Sequence, residues 1–125
     1  MRLLVDTNAL IWWFDDDASL SPKARAAIAD PQNEVFASSL SFAEIAIKQG
    51  LGKLDGPFIS DDLLAEQGIS PLPLTPRHGR RVVELPLHHR DPFDRLLIAQ
   101  ALEEGLTIVT ADARFRAYGV PLLAA

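Results

Sequence analysis

The sequence predicts an α/β fold, a parallel sheet with helices on both faces, in one domain spanning residues 1–125. Three observations predict it. Short apolar runs alternate along the chain with segments that carry helix-capping signals. The runs are continuously hydrophobic, as befits strands covered on both sides. Two aspartates, Asp6 and Asp112, stand just past the ends of such runs, where open α/β sheets bind their ligands.

Leu3, Leu4 and Val5 form the first strand, which ends at Asp6-Thr7-Asn8. Residues 9–14 read as a short helix stopped by Asp15, Asp16 and Asp17. Ser21-Pro22 supplies an N-cap with proline at the first helical position, and Pro31 follows that helix. Residues 34–38 (EVFAS) are the second strand. Ser41 opens a helix that stops near Gly50 or Gly52. Ser60-Asp61-Asp62 caps another, ended by Gly68. Residues 69–74 are a strand that Pro71 and Pro73 confine to a sheet edge. Thr75-Pro76 and Asp91-Pro92 cap the next two helices, the second running to Gly105. Residues 106–110 (LTIVT) are the clearest buried strand, followed by a helix over 112–118 and a small strand over 120–123.

Composition narrows the functional classes. Hydrophobic residues make up 48% and charged residues 23%, which argues against disorder. The absence of cysteine removes disulfide frameworks, thiolate metal sites and cysteine nucleophiles. No apolar run approaches the roughly 20 residues that cross a bilayer, and Arg2, Asp6 and the acidic trio interrupt the first stretch. The expectation is a soluble, cytoplasmic protein without a signal peptide. Net charge is −5, whereas a simple groove-reader of nucleic acid is basic. The distribution points instead to acids with a local task. Arg77, Arg80, Arg81, Arg90 and Arg95 cluster with His78, His88 and His89, away from most of the acids.

Each candidate acid has an ordinary structural explanation. Asp6 reads as a turn or N-cap residue. Ser41-Phe42-Ala43-Glu44 matches a capping box, and Glu44 also pairs with Lys48 at i,i+4. Asp91 is the natural N-cap before Pro92. Asp94 then sits at the third helical position, where an acid suits the helix dipole. Asp112 caps the last helix. Their convergence is the functional argument. Four carboxylates in one cleft repel unless a cation joins them. All-oxygen donors select a hard ion, so Mg²⁺ or Mn²⁺ fits.

The strings LVDTN, SFAEIAIK, HHRDPFDRLLIAQA and IVTAD, in this order over nearly the whole chain, resemble the PIN domain. Within that family the likeness is to the VapC-type ribonuclease toxins of toxin–antitoxin pairs. The resemblance implies a five-stranded parallel sheet in the order 3-2-1-4-5. It places the acidic quartet on Asp6, Glu44, Asp94 and Asp112, as catalytic groups and metal ligands. Asn8 and Thr110 fall on the supporting positions, and Asp91 assists or replaces Asp94. The implied activity is Mg²⁺- or Mn²⁺-dependent endoribonuclease cleavage by metal-activated water, leaving a 5′-phosphate end. Asp6, Asp94 and Asp112 would hold metal, and Glu44 would ligate it or orient the water. The implied partners are RNA, a VapB-type antitoxin and a second copy of the chain.

Trp12, Trp13 and Phe14 are adjacent, so one helix face cannot bury all three, and they are read as a partner contact. Arg90 and Arg95 are read as RNA-binding, with Arg95 nearest the metal as the neighbour of Asp94. Three rivals remain. A phospho-accepting receiver domain needs an acidic pair after the first strand and a lysine after the last. Here Asp6 is followed by Thr7-Asn8, and no lysine follows Lys53. A haloacid-dehalogenase-type phosphatase needs Asp-x-Asp where this chain has Asp6-Thr7-Asn8. A catalytically inactive PIN binding module needs no quartet at all.

Overall fold

The central strand is β1 (Arg2–Val5), and its residues are divided between two cores. Alternate side chains of a strand point to opposite faces. Leu3 and Val5 therefore join one core and Leu4 the other. A computed structural model describes residues 1–56 and 58–125. Around β1 lie β2 (Glu34–Ser38), β3 (Ile69–Leu72), β4 (Thr107–Thr110) and β5 (Leu122–Ala124), all parallel, in the order β3-β2-β1-β4-β5. Leu4 is in register with Phe36 on β2 and Ile108 on β4. The sheet reverses its order at β1, so the cleft between the ends of β1 and β4 is a switch point.

The helices are α1 (Thr7–Phe14), α2 (Pro22–Ala29), α3 (Ser39–Gly50), α4 (Asp61–Glu66), α5 (Pro76–Glu84) and α6 (Pro92–Glu104). One face of the sheet packs Leu3, Val5, Val35 and Val109 against Leu10, Ala24, Ile45 and Leu64 of α1 to α4. The other packs Leu4 and Ile108 against Leu97, Ile98 and Ala101 of α6, with Phe115 and Tyr118. Helices on both faces explain why the strands are apolar on both sides. α6 starts at the Asp91 cap with Pro92 at its first position. It ends at Gly105, whose φ of 68° lies in the left-handed region that glycine enters without strain.

Several boundaries differ from expectation. α1 begins at Thr7 because the Asp6 carboxylate accepts from the Ala9 N–H at 2.8 Å and caps it. α3 begins at Ser39 because Ser38, not Ser41, is the N-cap. Ser41 is buried one turn inside the helix, so the expected Ser41–Glu44 capping box does not form. β3 stops at Leu72, short of Pro73, and occupies the sheet edge. The segment after Asp112 is a 3₁₀ helix, Ala113–Tyr118. The last strand starts at Leu122, because Val120 packs into the α6 core instead. Among the described residues, no helix is long and apolar enough to cross a membrane.

Candidate active site

The carboxyl ends of β1 and β4 open into a cavity of about 230 Å³. Asp6, Thr7, Asn8, Glu44, Lys48, Asp91, Asp94, Asp112 and Arg114 supply its polar side chains. All four quartet positions therefore face one space, delivered by β1, α3, α6 and the turn after β4.

Asp6 continues the strand ladder, its N–H donating to Val109 O at 3.0 Å. Its carboxylate turns to the cap of α1, and the residue is only 7% exposed. Burial pushes its pKa up, opposed by the Thr110 hydroxyl and the Ala9 N–H. Asp112 and Glu44 add like-charge repulsion in the same upward direction. Thr110 also accepts from the Asp112 N–H at 3.0 Å, so it ties the ends of the two delivering strands together.

Glu44 lies on α3 with Thr7 opposite. The Thr7 hydroxyl is 2.9 Å from Glu44 Oε1 and 3.0 Å from Ser41 Oγ. A hydroxyl has one proton, so it donates to the carboxylate and accepts from Ser41. Lys48 Nζ holds the other oxygen, Oε2, at 3.2 Å. Two contacts thus fix the Glu44 carboxylate in the cavity, and neither is a helix cap.

Asp94 is at the third position of α6, one turn inside the Asp91 cap. Burial first, then the neighbouring Asp91, push its pKa up to about 6, with Arg114 opposing. The Asp91 carboxylate is committed to the cap, accepting from Phe93 N–H at 3.0 Å and Asp94 N–H at 3.3 Å. Asp112 behaves oppositely to Asp94. It accepts from the Arg114 backbone N–H at 2.9 Å and from that residue's guanidinium, whose Nη2 lies 2.7 Å away. The hydrogen bonds from Arg114 are the largest effect on its carboxyl and lower its pKa. Arg114 Nη2 also reaches Asp94 Oδ2 at 3.2 Å, bridging the two acids. As the side chains stand, no three acidic groups among the described residues meet at one ligating point. The donors are nevertheless all oxygen, and their mutual repulsion is the chemistry that a hard divalent ion relieves.

A PIN-domain family profile matches residues 3–121. The chain belongs to the PIN-domain family. It is 30% identical over 122 residues to Ribonuclease VapC22 of Mycobacterium tuberculosis, across 95% of this chain and 93% of that protein. Its fold matches VapBC2 from Rickettsia felis, solved with a DNA fragment from their promoter, at a TM-score of 0.70 and 17% identity. That match covers 98% of both chains. A toxin–antitoxin complex from Klebsiella pneumoniae matches at a TM-score of 0.64 and 21% identity, over 98% of this chain and 96% of that one.

Within this PIN domain the other expected site residues divide. Asn8 is exposed on the cavity wall. Arg90 is exposed beside Asp91 and has no polar partner among the described residues. Arg95, expected nearest the metal, turns away from the cavity. It donates to Pro86 O at 2.8 Å and to Tyr118 Oη at 3.3 Å, stapling the α5–α6 connection. Adjacent helical residues diverge by about 100°, so sequence adjacency to Asp94 did not place Arg95 in the site. His78 is buried between the Thr75 N–H and Glu104, and His88 and His89 pack edge-on against Tyr118. Trp12, Trp13 and Phe14 are all half-buried against the α1–α4 core. Trp13 and Phe14, with Ile11, Ile45, Leu54 and Ile59, line an apolar groove of about 270 Å³. The sequence reading missed Arg114 and Thr7, and it named Lys48 only as the i,i+4 partner of Glu44, a pair that the structure has at 3.2 Å. The signal for Arg114 was its place two residues after Asp112, on the first turn of the 3₁₀ helix.

Proposed function

We propose that this PIN domain is a divalent-metal-dependent endoribonuclease, the toxin of a toxin–antitoxin pair. One observation carries the reading: Asp6, Glu44, Asp94 and Asp112, from four separate elements, line one cavity at the switch point of the sheet. Family membership and the likeness to a protein named a ribonuclease support it. Asp6, Asp94 and Asp112 would hold Mg²⁺ or Mn²⁺. A divalent ion in such a site lowers the pKa of water and offsets charge that develops on a phosphodiester. The protein's own part is positional. Thr7 and Lys48 aim Glu44 into the cavity, to ligate the ion or orient the attacking water, and Thr110 steadies Asp6 and Asp112. Asn8 shapes the wall, and Asp91 fixes the start of the helix that bears Asp94.

The substrate proposed is RNA, with Arg90 contributing a phosphate contact at the rim. The partner proposed is a VapB-type antitoxin, alongside a second copy of the chain. The half-buried aromatic run and its groove suit an apolar segment of either. A cytoplasmic location fits these partners.

Calorimetric titration with Mn²⁺ tests the site. Wild type is expected to bind, and Asp6→Asn, Asp94→Asn and Asp112→Asn each to bind more weakly. Unchanged affinity in Asp6→Asn would remove the metal site. Labelling by acetyl phosphate, expected to fail, separates this reading from a receiver domain.

A further inference from the structure

Arg114 occupies the place where the site's charge has to be neutralised. Its side chain is 57% exposed at the cavity rim, while its guanidinium reaches inward. Nε lies 3.1 Å from both Asp112 oxygens, and Nη2 lies 2.7 Å from Asp112 Oδ2 and 3.2 Å from Asp94 Oδ2. One nitrogen thus bridges carboxylates from α6 and from the turn after β4, the two walls that must share an ion. The only other cation lining the cavity, among the described residues, is Lys48, and it serves Glu44 on its own helix. Asp6 has neither.

A guanidinium and a divalent cation draw on the same carboxylates, and their like charges repel, so each weakens the other's hold. Arg114 is suited to yield. Its stem is long and solvent-exposed, and the backbone N–H that caps onto Asp112 stays in place when the side chain swings out. Lys48 has no such role, because its single carboxylate lies on the opposite wall.

We infer that Arg114 is a built-in competing cation, which neutralises Asp94 and Asp112 in the metal-free chain and which the divalent ion must displace. This rests on the metal-site reading proposed above and adds its regulation. Metal affinity is set by an exchange of cations, so the chain resists loading where the ion is scarce. The energetic stake is that of a partly exposed, forked ion pair, a factor of about five to ten in affinity.

The test combines Mn²⁺ calorimetry with thermal melting on wild type, Arg114→Gln and Arg114→Lys. Arg114→Gln is expected to bind Mn²⁺ about five- to tenfold more tightly than wild type, with Arg114→Lys in between. In EDTA it should melt below wild type, and that gap should close in saturating Mn²⁺. Equal or weaker Mn²⁺ binding by Arg114→Gln, or a melting gap that persists with Mn²⁺, would overturn the exchange and leave Arg114 a structural ion pair. Failure of wild type itself to bind Mn²⁺ would overturn the metal-site reading and the exchange with it.

Discussion

Asp94 and Asp112 share one guanidinium and yet titrate in opposite directions, because Asp94 is the more deeply set and faces Asp91 while Asp112 takes most of the hydrogen bonds. The sign for stability follows. With its pKa near 6, Asp94 holds its proton more tightly in the folded chain than in the unfolded one. The metal-free chain therefore gains stability as pH falls from about 6 towards 4 and loses that contribution as pH rises through 6. Asp6 acts in the same direction. The lowered Asp112 acts oppositely, and only below the ordinary carboxylate range. Melting in EDTA should thus rise between pH 7 and pH 5, and Asp94→Asn should flatten the rise. Mn²⁺ affinity should weaken below pH 6, since the ion must displace these protons. Glu44 gives a second residue-scale expectation. Among the described residues its carboxylate caps nothing and meets only the Thr7 hydroxyl and an exposed lysine. Glu44→Gln should change stability by less than about 1 kcal/mol, while RNA cleavage falls by at least tenfold. Melting and cleavage on one preparation decide this, and full activity with a lowered melting point would return Glu44 to a structural role.

At the scale of elements, α6 separates the two acids that the sequence left entangled. Asp91 caps and Asp94 points into the cavity, so the two can be tested apart. Asp91→Ser keeps the cap and should hold stability within about 0.5 kcal/mol, whereas Asp91→Ala should cost about 1 kcal/mol. Urea unfolding measures both, and Asp91→Ser should retain Mn²⁺ binding that Asp94→Asn loses. Caps were the most legible feature of the sequence. Ser21-Pro22, Ser60, Thr75-Pro76 and Asp91-Pro92 each mark a helix start that the structure has. The start of α3 was not legible, because Ser38, Ser39 and Ser41 offer three caps within four residues and only tertiary packing chooses. That choice removed the capping box and freed Glu44 for the cavity. Arg95 was misplaced for a related reason: a one-residue step along a helix changes the face, and the staple to Pro86 depends on a loop that no local pattern describes. The aromatic run of α1 was legible as more than one buried stripe can hold: all three rings are half-buried against the core, and Trp13 and Phe14 line the groove. Sedimentation of Trp13→Ala and Phe14→Ala, alone and with the proposed antitoxin, should show weakening of the proposed dimer or of antitoxin binding. No change in either would make the rings core alone.

For the whole molecule, the sheet order is what turns scattered acids into a site. β1 and β4 are far apart in sequence and adjacent in space, and their ends carry Asp6 and Asp112 into one cleft. Alternating apolar strands and capped helices made this topology class readable, and the likeness of four short motifs supplied the strand order. The buried polar link from Ser38 Oγ to Gln100 Oε1, at 2.6 Å, had no such signal, because it joins elements 62 residues apart. Part of the acidic net charge is explained at the same scale: five carboxylates line the cavity and, among the described residues, only Lys48 and Arg114 answer them there. An anionic substrate is tolerated in such a cavity only when more positive charge enters it. The most direct measurement is cleavage of a single-stranded RNA by the purified chain in Mn²⁺ and in EDTA, with Asp6→Asn purified in parallel as the control for contaminating nuclease. Cleavage in Mn²⁺ that EDTA abolishes and Asp6→Asn lacks is the predicted result; cleavage that persists in EDTA, with Asp6→Asn inactive under the same conditions, would contradict a metal-dependent nuclease.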